Sequence, residues 1–400
     1  MGASYDHRWN RRSGSEAGNL ISPTQVREAI QYVTGAFASR AVGILIRSPA
    51  VDMRLPDTSD LDFLVLAEID DLCSERLHWV ASDGTRTMID VTWLPWIWVS
   101  DPELAATHGW VPHRLLSSNL VWDSGRDVTR HCLEIGRRMY RTDIQQKRTG
   151  VFLDIGFQTV REIGITWDFP ALALFWLHMA HAACLAAMLD AMRHLCPNVY
   201  TRPFDYLHHV EGESCPGLRH QWIEALHLDA DPMQLIPCLR RIHAIVAAKF
   251  PEPDWPASIR AGTRFEYRYW LSPEELDWRI RVALEMVRRS DSAAAIFYLR
   301  FCAYAIARIP MVHARSCEGR NVSYLRPEKA VLPELQRFVP EVIEDLDLVL
   351  AGTHGLEIDT VKNSLSMLYV LRDSTFACLR ACGTPVPESQ DWEPYQPQAA

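Results

Sequence analysis

Three acidic residues lie inside apolar stretches in the first quarter of the chain. Asp60 and Asp62 alternate with apolar residues in DLDFLVL (60–66), and Asp90 lies within MIDV (88–91). Successive side chains of a strand point to opposite faces, so we expect Asp60 and Asp62 to project from one face, with Cα atoms roughly 7 Å apart. Carboxylates in apolar strands are costly unless they are paired or bound to a cation. Three of them at one sheet edge would suit Mg²⁺, which takes oxygen ligands and shares them with substrate phosphates.

The segment before Asp60 strengthens this interpretation. An apolar strand at 41–46 ends in a polar turn that contains Ser48, twelve residues before Asp60. The order strand, Ser-containing turn and Asp-x-Asp strand, together with LPDTSDLDFL (55–64), resembles the nucleotidyltransferase superfamily (DNA polymerase β-like) over residues 24–140. Within it, the chain is most similar to small-molecule, aminoglycoside-type enzymes with a helical C-terminal region.

The resemblance implies a role for each matching residue. Asp60 and Asp62 would bind metal, and Asp90 would complete the metal shell or act as general base on the acceptor. Ser48 would hold the triphosphate, and Ser59, next to Asp60, is a further candidate for nucleotide binding. Arg47 departs from the family, which usually has Gly there; its side chain would either crowd the triphosphate or add a charge for it.

Two further nucleotide-binding candidates lie in the C-terminal half. Lys329, in RPEKA (326–330), stands at a predicted helix start, where similar enzymes place a lysine for the leaving pyrophosphate. Tyr324 is a candidate for stacking on the base, although core packing is the simpler account. The resemblance therefore implies Mg²⁺ as cofactor, ATP or another NTP as substrate, and a small-molecule acceptor.

Composition narrows the class of protein. The 400 residues, 48% hydrophobic and 23% charged, are typical of a folded protein of two or three domains. A net charge of −9 disfavours broad nucleic-acid binding, which needs a basic surface. Ten cysteines without C-x-x-C pairs indicate neither a zinc site nor a disulfide framework. We find no secretory segment and no uninterrupted apolar run of 18 residues, so we expect a cytoplasmic protein without a membrane anchor; the oligomeric state stays open.

The order of predicted elements indicates an α+β fold: a small mixed β-sheet domain followed by an all-α region. We expect a disordered tail at 1–20, a nucleotidyltransferase domain at 21–145, helical modules at 146–255 and 256–383, and a loose tail at 384–400. In the sheet domain we predict a helix from Ser22 to about Ser39, a short helix at Asp70–Arg76 and a hairpin through Ser82-Asp83-Gly84.

The two helical halves resemble each other. ALFWL (173–177) and AIFYL (295–299) are offset by 122 residues, and Arg202-Pro203 and Arg326-Pro327 by 124. A nearly constant offset favours duplication of a helical module over chance similarity between amphipathic helices.

Two other patterns carry less weight. His178-x-x-His181 lacks the glutamate and third ligand of a zinc enzyme, and Arg308 and His313 match the loose Arg-x4-His spacing of HEPN ribonucleases only with Pro310 between them.

These observations predict a Mg²⁺-dependent transfer of a nucleoside monophosphate, AMP by default, onto a small molecule. Two alternatives remain open. The first is AMPylation of a protein or nucleotide addition to RNA, which the acidic balance disfavours for RNA. The second is a decayed site that binds a nucleotide without turnover, for which Arg47 is the supporting oddity.

Overall fold

The computed structural model describes residues 20–47, 55–56, 60–163, 169–211, 217–322, 330–353 and 356–387. The strands are β1 (Leu20–Ile21), β2 (Ala41–Arg47), β3 (Leu55–Pro56), β4 (Leu61–Ala67), β5 (Cys73–Val80), β6 (Arg86–Pro95) and β7 (Ser118–Asp123). The helices of the sheet region are α1 (Pro23–Phe37), α2 (Ile97–Ser100), α3 (Pro102–Thr107), α4 (Val111–Leu116) and α5 (Val128–Met139).

Helix α1 starts where its capping residues place it. The Ser22 hydroxyl accepts from the Gln25 amide at 3.2 Å, and Gln25 Oε1 accepts from the Ser22 amide at 2.6 Å. This reciprocal pair satisfies two of the amide groups that a helix start leaves without partners. Pro23 occupies the first turn, where no amide is needed. The N-cap predicted from the sequence is thereby confirmed.

Five strands form a mixed sheet in the order β5-β6-β4-β2-β7. Strand β4 is parallel to β6, and the other neighbouring pairs are antiparallel. Phe63 and Val65 of β4 pack in one core with α1, whereas Leu64 and Leu66 pack in a second core with α3, α4 and α5. The α+β class and the mixed sheet are confirmed. The alternation also assigns Asp62 to the face of Leu64 and Leu66.

One prediction in this region is wrong. Residues 70–76 do not form a helix, because β5 begins at Cys73 and pairs along its whole length with β6. Glu, Arg and Leu favour helices locally, but the hairpin through Gly84, whose φ is 84°, supplies a continuous partner strand. Strand pairing therefore overrides the local helix propensity. Arg76 is a strand residue and stands opposite Asp90 of β6.

The remaining chain is helical in its described part. Its helices are α6 (Thr142–Ile163), α7 (Pro170–Ala191), α8 (Phe204–Val210), α9 (Leu218–Ala225), α10 (Pro232–Lys249), α11 (Ala261–Leu271), α12 (Pro273–Arg288), α13 (Ser292–Ala307), α14 (Ile309–Cys317), α15 (Val331–Phe338), α16 (Ile343–Ala351) and α17 (Ile358–Ala381). A 3-10 turn, Pro340–Val342, precedes α16. Helices α13 and α14 are separated at Arg308, because Pro310 cannot continue the hydrogen-bond ladder.

The two predicted helical modules share one hydrophobic core. Helix α7 of the first half packs against α13, α16 and α17 of the second, and α10 packs against α12, α13 and α16. The proposed boundary at 145/146 falls inside α6, and that at 255/256 lies in the segment between α10 and α11. The duplication therefore stays a prediction. If it occurred, the two copies pack against each other in one core and do not form separate domains.

Two apolar segments could span a membrane by length and composition alone, Pro170–Ala191 and Ser292–Cys317. Their most apolar windows are 94% and 100% buried within the fold. Burial of this extent is typical of core helices in a soluble protein.

Residues 384–387, at the start of the expected tail, pack onto α6. Gln146 donates to the Val386 carbonyl at 3.2 Å, and Thr384 donates to Gln145 at 3.0 Å.

Candidate metal and nucleotide site

The parallel pairing of β4 with β6 brings the three acids together. Asp62 and Asp90 are register partners, and Asp60 directly precedes β4. One carboxylate oxygen from each residue lies within 4.8 Å of the others. The side chains are 22%, 37% and 28% exposed for Asp60, Asp62 and Asp90, so solvent reaches them. The expected convergence of these acids is confirmed as geometry.

The donor set suits a hard divalent cation. Oxygen ligands at the 2.0–2.1 Å typical of Mg²⁺ lie about 3 to 4 Å from each other around an octahedron. A spread of at most 4.8 Å is closed by small side-chain rotations. Three carboxylates with partial exposure also leave room for water and phosphate oxygens. Asp60, Asp62 and Asp90 would therefore hold the ion.

The pKa values of the neighbouring Asp60 and Asp90 are shifted in opposite directions. Burial raises the pKa of Asp90 well above its usual range, and the Asp60 and Asp62 carboxylates add to this against the opposing charge of Arg76. For Asp60, burial acts in the same direction, but Arg76 and Arg202 outweigh it and lower the pKa. The side-chain hydrogen bond between the two groups acts in the same opposed senses, lowering the pKa of Asp60 and raising that of Asp90.

Arg76 is the central counter-charge of the site. Its Nη2 lies 3.1 Å from Asp60 Oδ2, and its Nε lies 3.1 Å from Asp90 Oδ1. Its Nη1 lies 3.1 Å from Glu275 Oε2 and donates to the Tyr269 hydroxyl. These partners raise the pKa of Arg76 despite its burial, so the guanidinium is always charged. Arg76 thereby links the acids of the sheet to α11 and α12.

Two further arginines face the same acids. Arg47, at the end of β2, pairs with Asp62 through Nη1 and Oδ2 at 3.0 Å. Arg202, in the turn before α8, acts electrostatically on both Asp60 and Asp62, and these acids raise its pKa against the effect of burial. Arg47 and Arg202 also both act on Asp205 of α8. Helix α8 therefore faces the acidic edge of the sheet.

The other residues proposed for nucleotide binding cannot be placed. Ser48, Ser59, Tyr324 and Lys329 lie outside the described residues, so their roles stay predictions from the resemblance.

Sequence reasoning missed Arg76, Arg202, Glu275 and Tyr269. Arg76 was hidden by the helix predicted at 70–76; a strand there would have placed it across from Asp90, its register partner. Arg202 was noticed only as part of a repeated Arg-Pro pair. Its approach to Asp60 depends on how α8 packs, and no local pattern reports that.

The two competing patterns are part of the core. His181 accepts from Trp222 Nε1 at 2.7 Å and lies 3.1 Å from the Ser364 carbonyl, so both ring nitrogens have partners and a metal is not required. Arg308 is buried against Glu266 at 2.5 Å, and His313 meets the Tyr267 hydroxyl at 3.0 Å. Neither pattern presents the paired groups that its proposed chemistry would need.

Comparisons with known proteins do not assign this chain to a family. No protein-family model matches the chain, and no curated protein sequence is significantly similar to it.

Proposed function

We propose that this chain is a Mg²⁺-dependent nucleotidyltransferase that moves a nucleoside monophosphate, AMP by default, from an NTP to a small-molecule acceptor. The acceptor oxygen would attack the α-phosphorus, the bond to the β-phosphate would break, and pyrophosphate would leave. The observation that carries the proposal is the convergence of Asp60, Asp62 and Asp90 at the edge of the β4–β6 pair. Bound Mg²⁺ would neutralise charge on the phosphates and orient them.

The protein groups around the acids have separate tasks. Asp60 and Asp62 would hold the ion, and Asp90 would complete the set or take the proton of the acceptor hydroxyl when it is within reach. Arg47 and Arg202 supply positive charge beside the acids, where it would meet the triphosphate. Arginine suits this role because its planar guanidinium binds phosphate oxygens in pairs. By the resemblance, Ser48, Ser59, Lys329 and Tyr324 would complete the nucleotide contacts.

The α11–α12 and α8 elements close the site from the helical side. Tyr269 and Glu275 contact Arg76, and Arg202 acts electrostatically on Asp60. Exclusion of water at this junction would strengthen the charge interactions with phosphate.

The test is pyrophosphate release from each of the four NTPs with Mg²⁺ and fractionated small-molecule, protein or RNA acceptors. We expect Mg²⁺-dependent release with a small-molecule fraction, and loss by at least about 1,000-fold in Asp60→Asn and Asp62→Asn, because charge neutralisation is the main catalytic term. The control is Asp127→Asn. Asp127 is exposed in the same region and has φ 59°, which asparagine tolerates.

The outcomes separate the candidate functions. Release that persists in both variants would refute the proposal. NTP binding without release under any acceptor would select a decayed binding protein, for which the arginines on all three acids are the motivating observation. Pyrophosphate release with only the protein or RNA fraction would show that the acceptor is a macromolecule and not a small molecule.

A further inference from the structure

We propose that the helical region sets the affinity of the metal site through Arg76, which acts as a positioning residue for Asp60 and Asp90. This inference rests on the proposed function and deepens it, because it identifies what holds the ligands in place. It concerns one chain of contacts: Glu275 and Tyr269 hold Arg76, and Arg76 holds two of the three acids.

The contacts divide the oxygen atoms of the acids into two sets. Arg76 lies against Asp60 Oδ2 and Asp90 Oδ1, each at 3.1 Å, and Arg47 lies against Asp62 Oδ2 at 3.0 Å. Each carboxylate thus has one oxygen against an arginine, and under the proposed function its second oxygen would bind the ion. Groups that hold the second atom of a ligand fix its orientation and are the usual partners of metal-binding side chains.

The helical region holds the Arg76 guanidinium on the side away from the acids. Its side chain is 5% exposed, as is that of Glu275, whereas the acids that it orients are 22% and 28% exposed. The Tyr269 ring centroid lies 5.2 Å from Arg76 Cζ, and the Tyr269 hydroxyl accepts from Nη1. The anchored side of Arg76 is therefore buried between β5 and the helical region, and the oriented side opens toward solvent.

A competing account is that Arg76 occupies the metal position and must leave when an ion binds. Departure would remove the strongest charged partner of the buried Glu275 carboxylate and leave it only Arg279 and His78. Weakening the pairing of a buried charge is unfavourable. The position of Arg76 in β5, as register partner of Asp90, also keeps its Cα beside the acids. The contacts therefore favour a permanent orienting role.

The two accounts predict opposite signs for one measurement, the affinity of the full-length protein for Mn²⁺, followed by the electron paramagnetic resonance signal of free Mn²⁺. Orientation predicts that Arg76→Gln weakens binding by about 10- to 100-fold. Competition predicts tighter binding, because a positive charge is removed. Arg76→Lys keeps the charge but lacks the planar fork, so we expect it to recover only part of the affinity.

The link to the helical region is tested by Glu275→Gln and Tyr269→Phe, which preserve side-chain shape. We expect each to weaken Mn²⁺ binding by several-fold, in the direction of Arg76→Gln. Adding Glu275→Gln to Arg76→Gln should cause no further loss, because the glutamate acts through the arginine. Glu274→Gln is the matched control: this residue neighbours Glu275 on α12, is exposed and should leave the affinity unchanged.

Every result decides the inference. Unchanged or tighter Mn²⁺ binding in folded Arg76→Gln overturns it, and so does unchanged binding in both Glu275→Gln and Tyr269→Phe. In these cases the proposed function survives, provided that the wild type binds Mn²⁺ and Asp60→Asn does not. A wild type that binds no Mn²⁺, with or without ATP, removes both the inference and the proposed function.

Discussion

At the scale of single residues, the site is a balance between carboxylates and arginines drawn from separate elements. Arg47 comes from β2, Arg76 from β5 and Arg202 from the turn before α8, and each acts on at least one of the three acids. The Arg47 side chain is 26% exposed, whereas that of Arg76 is 5% exposed. Under the proposed function, Arg76 supports the acids, and Arg47 and Arg202 contact phosphate.

Arg202→Gln tests the assignment of phosphate contact. We expect the kcat/KM for NTP to decrease by about 10- to 100-fold, because a charge-assisted hydrogen bond contributes about 1.5–3 kcal/mol. The measurement is steady-state pyrophosphate release. Arg281→Gln is the control, since Arg281 is exposed on α12 and packs over Trp278. An effect no larger than that of the control would remove Arg202 from the site.

At the scale of elements, the register between β4 and β6 decides whether a site exists. Asp62 stands opposite Asp90, and a slip of one residue would turn one of these acids to the other face of the sheet. The register is held by two cores, one on each face, so neither strand can shift without exposing apolar side chains. The neighbouring β2 is fixed in turn by its close approach to α5 at Gly43.

Gly43→Ala tests how tightly β2 is held. An added Cβ would lie 2.9 Å from Val128 Cγ2, inside contact distance with a β-branched side chain that has little freedom. We expect a loss of about 1–3 kcal/mol in the free energy of unfolding, measured by urea denaturation. Gly35→Ala is the matched control: Gly35 is exposed in α1, nothing lies within 4 Å of its added Cβ, and we expect a gain of about 0.5–1 kcal/mol. Equal effects at both positions would contradict the packing argument.

At the scale of the whole molecule, α7 joins the two helical halves through a buried core. His178 of α7 is fully buried, stacks on Phe297 of α13 at 3.2 Å between ring centroids, and has no hydrogen-bond partner for either ring nitrogen. Burial lowers the pKa of His178 well below its usual value, with Arg300 and His181 acting in the same direction. The core therefore contains a neutral histidine.

This burial predicts acid sensitivity. Below pH about 6.5 the unfolded chain binds a proton at His178, whereas the folded chain does not. The contribution of neutral His178 to the free energy of unfolding is therefore full above that pH and is lost as the pH falls. His178→Leu removes the proton site, and we expect its acid unfolding midpoint, followed by circular dichroism, to shift to lower pH. His220→Leu, at an exposed histidine, is the control. A midpoint unchanged in His178→Leu would show that this histidine does not limit acid stability.

Sequence patterns predicted the features that depend on local chemistry. The cap at Ser22, the turn at Gly84 and the alternation of Asp60 and Asp62 follow from neighbouring residues, and all three appear in the structure. Arg76 was placed in a helix because its strand depends on pairing with β6. Arg202 was missed because it lies 142 residues after Asp60 in sequence and acts on it only through the packing of α8, which no local pattern encodes.

The most direct test of the account is a crystal structure with Mn²⁺ and a nonhydrolysable ATP analogue, with data collected at the manganese absorption edge. The account predicts an anomalous peak bonded to oxygen atoms of Asp60, Asp62 and Asp90, with nucleotide phosphate oxygens completing the coordination. An ordered nucleotide with no peak among these three carboxylates, or a peak bound elsewhere, would contradict the account.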